Sequence, residues 1–152
     1  MIFEGDVLLE STNDGGDLSI KNNFIVGTGG FETAVFLSLF GGNYGDNGTE
    51  STIKKAWWGN QLDPDEPNKR LVSRMQNIIK SIPATPGNLN KVIQAAKDDL
   101  AWFLSEGIAD KILVIGSIPS QNRLQLEIDI LKDKVILDSF TFEQNWEAQS
   151  GK

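Results

Sequence analysis

Histidine and cysteine are both absent from this chain of 152 residues. Without them there can be no Ser-His-Asp or Cys-His catalysis, no zinc site built on imidazole or thiolate, no disulfide and no thiol redox chemistry. Long apolar runs are missing too. Nothing approaches the roughly 18 consecutive apolar residues of a transmembrane helix. The opening Met1-Ile2-Phe3-Glu4-Gly5-Asp6 is acidic, with neither the basic start nor the apolar run of a signal peptide, so no membrane association and no export by the general pathway is expected. Basic charge is scarce in the first third. Residues 1–53 hold eight acids against Lys21 alone, so the net charge of -7 resides there and the remainder balances. No basic stripe exists to displace phosphate counterions, which argues against nucleic acid as a partner. An acidic third of this kind is either a solvated face or a dock for a basic neighbour.

The length fits one domain over 1–152. Asp6–Glu10 and Asp17–Ile20 flank the turn cluster Asn13-Asp14-Gly15-Gly16, a β-hairpin signature, with Phe24–Val26 as a further strand. Thr28 and two glycines then open a short helix to Phe40. Phe31, Ala34, Val35, Phe36, Leu37, Leu39 and Phe40 cannot share one stripe, so this helix is either buried all round or keeps one face for a partner. The run 41–49 is Gly/Asn/Asp-rich and reads as part of a flexible loop at 41–53. Leu71, Met75, Ile78, Ile79 and Ile82 predict a helix over 68–82, ended by Pro83. Thr85-Pro86 looks like an N-cap with proline at the first helical position. Leu89, Val92, Ile93, Ala96, Leu100, Phe103 and Leu104 then make the clearest stripe in the chain, with Gly107 as its C-cap. Period two follows in 111–115, 123–130 and 135–142, and the tail 143–152 reads as frayed or partner-bound. The sum is an α+β fold: three helices on a mainly antiparallel sheet, with an N-terminal and a C-terminal β-hairpin.

Carboxylate pairs are the remaining catalytic candidates, since a glycosidase needs two, about 5 to 9.5 Å apart. Asp98 with Asp99, Glu106 with Asp110, Asp63 with Asp65 and Glu66, and Glu127 with Asp129 are available. Each has a plainer explanation: the polar side or end of a helix, a proline-flanked helix start, or the wet face of a strand. Asp46-Asn47-Gly48-Thr49-Glu50 offers oxygen ligands but lacks the calcium-loop register, and Gly27-Thr28-Gly29-Gly30 lacks the phosphate-loop lysine. No catalytic, cofactor or metal site is therefore assigned. Binding features are stronger. Trp57 and Trp58 are adjacent, and tryptophan is enriched at interface anchors, although a Trp pair can also close a core. The C-terminal hairpin can leave an edge open to strand addition, with Leu126, Ile128, Val135, Leu137 and Ser139 as the residues expected to meet a partner.

Gly16-Asp17-Leu18, Asn23-Phe24-Ile25-Val26, the run Phe31 to Phe40 and Trp57-Trp58-Gly59-Asn60 together resemble the baseplate wedge proteins of Mu-like phages. Lys69 to Arg74 and Leu100 to Ala109 keep that order, and the likeness covers roughly residues 15 to 131. That family is similar to the small wedge subunits, or sheath initiators, of contractile tails. The resemblance implies a structural, non-enzymatic protein in the virion's tail baseplate, assembled in the host cytoplasm and present in several copies. It would join other wedge proteins and the tail tube or hub, and template the first sheath ring by strand augmentation. Some relatives are labelled lysozyme-like, which keeps a peptidoglycan-cleaving carboxylate pair as the alternative. The Glu-Pro-Arg motif of the broader family is not kept, because this chain reads Glu106-Gly107-Ile108-Ala109-Asp110. A typical Gly-Ser-Arg-Leu-Trp stretch likewise reads Asn68-Lys69-Arg70-Leu71-Val72, so the contacts of both motifs are not carried over.

Overall fold

The computed structural model describes residues 6–12, 15–28, 30–62, 70–146 and 148, and its architecture is α+β. Six short strands come first: β1 (Asp6–Val7), β2 (Leu9–Thr12), β3 (Gly15–Leu18), β4 (Ile20–Lys21), β5 (Phe24–Ile25) and β6 (Gly27–Thr28). They pair antiparallel as β1 with β6, β2 with β3, and β4 with β5. The expected hairpin is present, with Leu9 opposite Leu18 and Thr12 opposite Gly15, and residues 13–14 of its turn lie outside the described residues. Phe24-Ile25 folds back on Ile20-Lys21 through Asn22-Asn23, both left-handed at φ 51° and 63°. Asparagine tolerates that conformation, which two-residue hairpin turns require. Backbone bonds Leu8 N–H to Val26, Ser19 N–H to Leu8 and Val26 N–H to Ser19 join the three ladders at one point.

Helix α1 (Glu32–Phe40) buries Val35, Phe36 and Leu39, while Leu37 is exposed. The helix is therefore not buried all round: one side is core and one faces out. Residues 41–62 follow, with 3-10 turns at Glu50–Lys55 and Trp58–Gln61, and then α2 (Arg74–Ser81), α3 (Pro86–Asp99) and α4 (Trp102–Ser105). Helix α3 starts as its sequence predicts: Asn88 N–H donates to the Thr85 hydroxyl at 3.2 Å, with Pro86 at the first position.

Two helix boundaries differ from expectation. Residues 70–73 are not helical, because Leu71 exchanges both its backbone bonds with the Asn60 side-chain amide (2.8 Å each), and Ser73 is left-handed at φ 54°. The long stripe is also not one helix. Leu100 closes α3 by bonding back to Ala96, the chain tightens at Ala101, and α4 carries Phe103 into the core from a new angle. Gly107, at φ 69°, ends α4 as expected.

The main sheet is a meander of β7 (Lys111–Ser117), β8 (Arg123–Lys132) and β9 (Val135–Asn145), in the order β7-β8-β9. The β8–β9 hairpin turns at Asp133-Lys134, both left-handed. Helix α3 covers β7, and Gly116 allows the close approach: a Cβ there would lie 2.9 Å from Ile93. The inward residues Leu124, Leu126, Ile128 and Ile130 are at most 1% exposed, each a burial of roughly 1.5–3 kcal/mol. Phe103 meets Phe31 edge-on at 5.5 Å, and Phe40 meets Phe142 at 5.9 Å, tying α4 and β9 to α1.

Candidate interaction surfaces

Residues 41–62 are organised around one carboxylate. Asp46 is fully buried and takes the Arg70 guanidinium on both oxygens, at 2.8 and 2.9 Å. Its Oδ1 also accepts from Gly48 N–H and the Thr52 hydroxyl, each at 3.0 Å. Asn77 of α2 accepts from Gly45 N–H and donates to the carbonyls of Asn43 and Asp46. Most of this glycine-rich run is exposed or half-buried, and Asp46 is the buried exception. A charge 24 residues away in sequence supplies the anchor that local composition lacks.

This anchored segment presents Trp57 and Trp58. Their rings lie 5.2 Å apart, and Trp57 packs so tightly over Gly59 that a Cβ there would lie 1.9 Å from the ring. Trp58 is 66% exposed, and Tyr44, Ile53 and Leu62 on the same segment are exposed as well. Trp57 is half-buried over its own turn and Trp58 points to solvent. Trp58→Ala is expected to change stability by no more than about 0.5 kcal/mol, measured by urea unfolding.

The sheet sorts the hairpin residues differently from expectation. Leu126 and Ile128 are fully buried on the central strand and face the helices. Their assignment to a partner surface is therefore corrected, because a central strand turns one whole face inward and its backbone is paired on both sides. Val135, Leu137 and Ser139 are exposed on β9, which pairs in the sheet with β8 alone among the described residues. The register shifts between Ile130 and Leu131, leaving Leu137 as the extra residue opposite them. Val135, Ile136 and Leu137 form a run of exposed apolar residues that the period-two reading did not single out. Nearer the middle of β9, Phe31 N–H donates to Asp138 at 3.2 Å, so the start of α1 lies beside it. The tail is also corrected in part. Glu143–Asn145 belong to β9, Trp146 is buried with its indole N–H on the Ile82 carbonyl at 2.5 Å, and Ala148 N–H reaches Ile79 at 3.0 Å. The rest of that tail lies outside the described residues.

Several of the described carboxylates hold structure together. Asp99 is buried and caps α2 from afar, accepting from Arg74 N–H and Met75 N–H at 2.9 Å each, with the Arg74 guanidinium at 3.3 Å. Asp99 is the last residue of α3, so it does lie at a helix end as expected, but it is buried. Burial pushes its carboxyl up to about 6, against the opposing pull of those donors. Asp98 instead accepts from Gln94, Asp110 accepts from Asp133 N–H, Asp129 from the Ser139 hydroxyl and Glu127 from Gln125. Asp63, Asp65 and Glu66 lie outside the described residues. Among the described residues no group of three acids is placed to hold a metal ion, and no helix is long and apolar enough to cross a membrane.

The Mu-like prophage FluMu protein gp46 of Haemophilus influenzae aligns over 146 residues at 26% identity, covering 93% of this chain and 97% of that protein. The chain is similar to a Mu-like prophage protein. This likeness to FluMu gp46 extends over most of both chains. No family model matches the chain, and no solved structure matches it.

Proposed function

We propose that this chain is a non-enzymatic structural component of a contractile phage tail baseplate. In this reading it joins the wedge around the tube and initiates sheath assembly by strand augmentation. The observation that carries the proposal is the full-length similarity to a Mu-like prophage protein in a chain without histidine or cysteine. The meander supports the strand-addition step. Strand β9 is 11 residues long, it has one partner in the sheet among the described residues, and it opens on Val135-Ile136-Leu137, all exposed. An edge of that kind offers backbone hydrogen bonds and apolar side chains to an incoming strand. Trp58 supplies a second contact, toward wedge or hub neighbours.

The paired change Val135→Lys and Leu137→Lys tests the edge. Both residues are exposed, so the monomer is expected to fold with stability within about 1 kcal/mol of the parent. Lysines on an edge strand discourage pairing, so particles carrying the variant are expected to hold the protein and tube but no sheath. Normal sheaths seen by electron microscopy would sink the strand-addition role. Absence of the parent chain from purified particles, by mass spectrometry, would remove the baseplate reading altogether.

A further inference from the structure

We infer that the groove between α1 and the α3–α4 bend receives an α-helix of another virion protein, one whose apolar stripe is flanked by lysine or arginine. This rests on the baseplate reading above and adds the chemistry of one partner to it. The groove has a volume of about 1080 Å³, and its apolar floor includes Ala34 and Leu37 of α1, Trp102 of α4 and Ile108. Leu37 is the telling residue. It is 41% exposed in a helix whose Val35 and Leu39 are fully buried, and it faces this space. Trp102 is held in place there by its indole N–H on the Ser38 hydroxyl at 2.9 Å. The floor is thus built by both walls and fixed before anything binds.

Backbone chemistry selects a helix over a strand. The walls come mainly from α1, α3, α4 and residues 70–74, and Leu71 and Arg74 already have their N–H groups engaged by Asn60 and Asp99. Asp6, the lining residue on a strand, belongs to β1, which is only two residues long, is paired with β6 and has its Val7 carbonyl taken by the Thr33 hydroxyl. An incoming strand would find no ladder and leave its own polar groups unmet, whereas a helix brings its backbone bonds with it. Charge selects the flanks. Arg70 and Arg74 at the groove are ion-paired with Asp46 and Asp99. Asp6, Asp98 and Glu106 also line it, and none of the three is ion-paired among the described residues. The uncompensated charge around the apolar floor is therefore negative, and basic flanks on the partner complement it.

The test places the photo-crosslinking residue p-benzoylphenylalanine at position 37, or at position 105 on the opposite wall should bulk at 37 prevent entry into particles. Particles are purified, checked by mass spectrometry for the chain, irradiated, and the linked peptide is sequenced. The expected result is a peptide of a different virion protein, with apolar residues at i, i+3, i+4 and i+7 and Lys or Arg beside them. Adding Glu106→Lys should lower the crosslink yield at least fivefold, while a crosslinker at Ile115 on the wet sheet face should not capture that peptide. A link to a second copy of this chain, to residues 1–5 or 63–69 of the same chain, or to a peptide without that pattern overturns the proposal. So does the absence of any link from either position when the chain is present. Absence of the parent chain from particles is a separate outcome, which removes the baseplate reading and this inference with it.

Discussion

Replacing Asp99 with alanine is expected to lower the unfolding free energy by about 2–4 kcal/mol at pH 7. The carboxylate is the acceptor for the first two backbone donors of α2, Arg74 N–H and Met75 N–H, and Met75 is fully buried. Truncation strands both donors, each at about 1–3 kcal/mol, and relief of the buried charge offsets part of that loss. The same burial predicts a pH dependence with a definite sign. The folded-state carboxyl sits at about 6 against an ordinary 3.8. Between those values the folded chain holds a proton that the unfolded chain has released, so this group's contribution to stability falls as pH rises through the window. The stability of the parent relative to Asp99→Asn is therefore expected to decrease by up to about 3 kcal/mol from pH 4 to pH 7. Urea midpoints for both proteins across that range test it. A difference that grows with pH would show that the capping donors, rather than burial, dominate the carboxyl.

Arg70→Ala is expected to cost about 3–5 kcal/mol, because it leaves the carboxylate of Asp46 buried without its counterion. Asp46 has no exposed surface, and the Thr52 hydroxyl and Gly48 N–H are then the donors left to its Oδ1. The loss is expected to fall first on residues 41–62, seen as faster amide hydrogen exchange there before global unfolding. Arg70→Lys should recover less than half of the stability. An ammonium is a compact, strongly hydrated charge that costs more to bury than the guanidinium, whose Nη2 alone reaches both Asp46 oxygens. Unchanged exchange in 41–62 after Arg70→Ala would mean that the loop is held by something other than this pair.

Features that depend on neighbours in the chain were legible from the residues alone. The Thr85-Pro86 start of α3, the positive φ at Gly107 and the alternation along β8 all follow from propensity and period, and the structure has them. The α+β class follows from the same switch of period from helical spacing to two. Trp58 was singled out by residue type, and Val135 and Leu137 by strand position, and all three are exposed.

What could not be read depends on partners far away in sequence. Alternation shows that Leu126 and Ile128 share a face, but only the order β7-β8-β9 makes their strand central and their face the core. The run 41–53 looks featureless until Arg70 is brought to Asp46, and Asp99 looks like an ordinary polar residue at a helix end until α2 sets its first two N–H groups against it. Local periodicity is encoded every two to four residues, so short windows reveal it. The burial of a charge or of a strand's face is settled by which distant segment arrives to satisfy it, and that is a property of the packed chain.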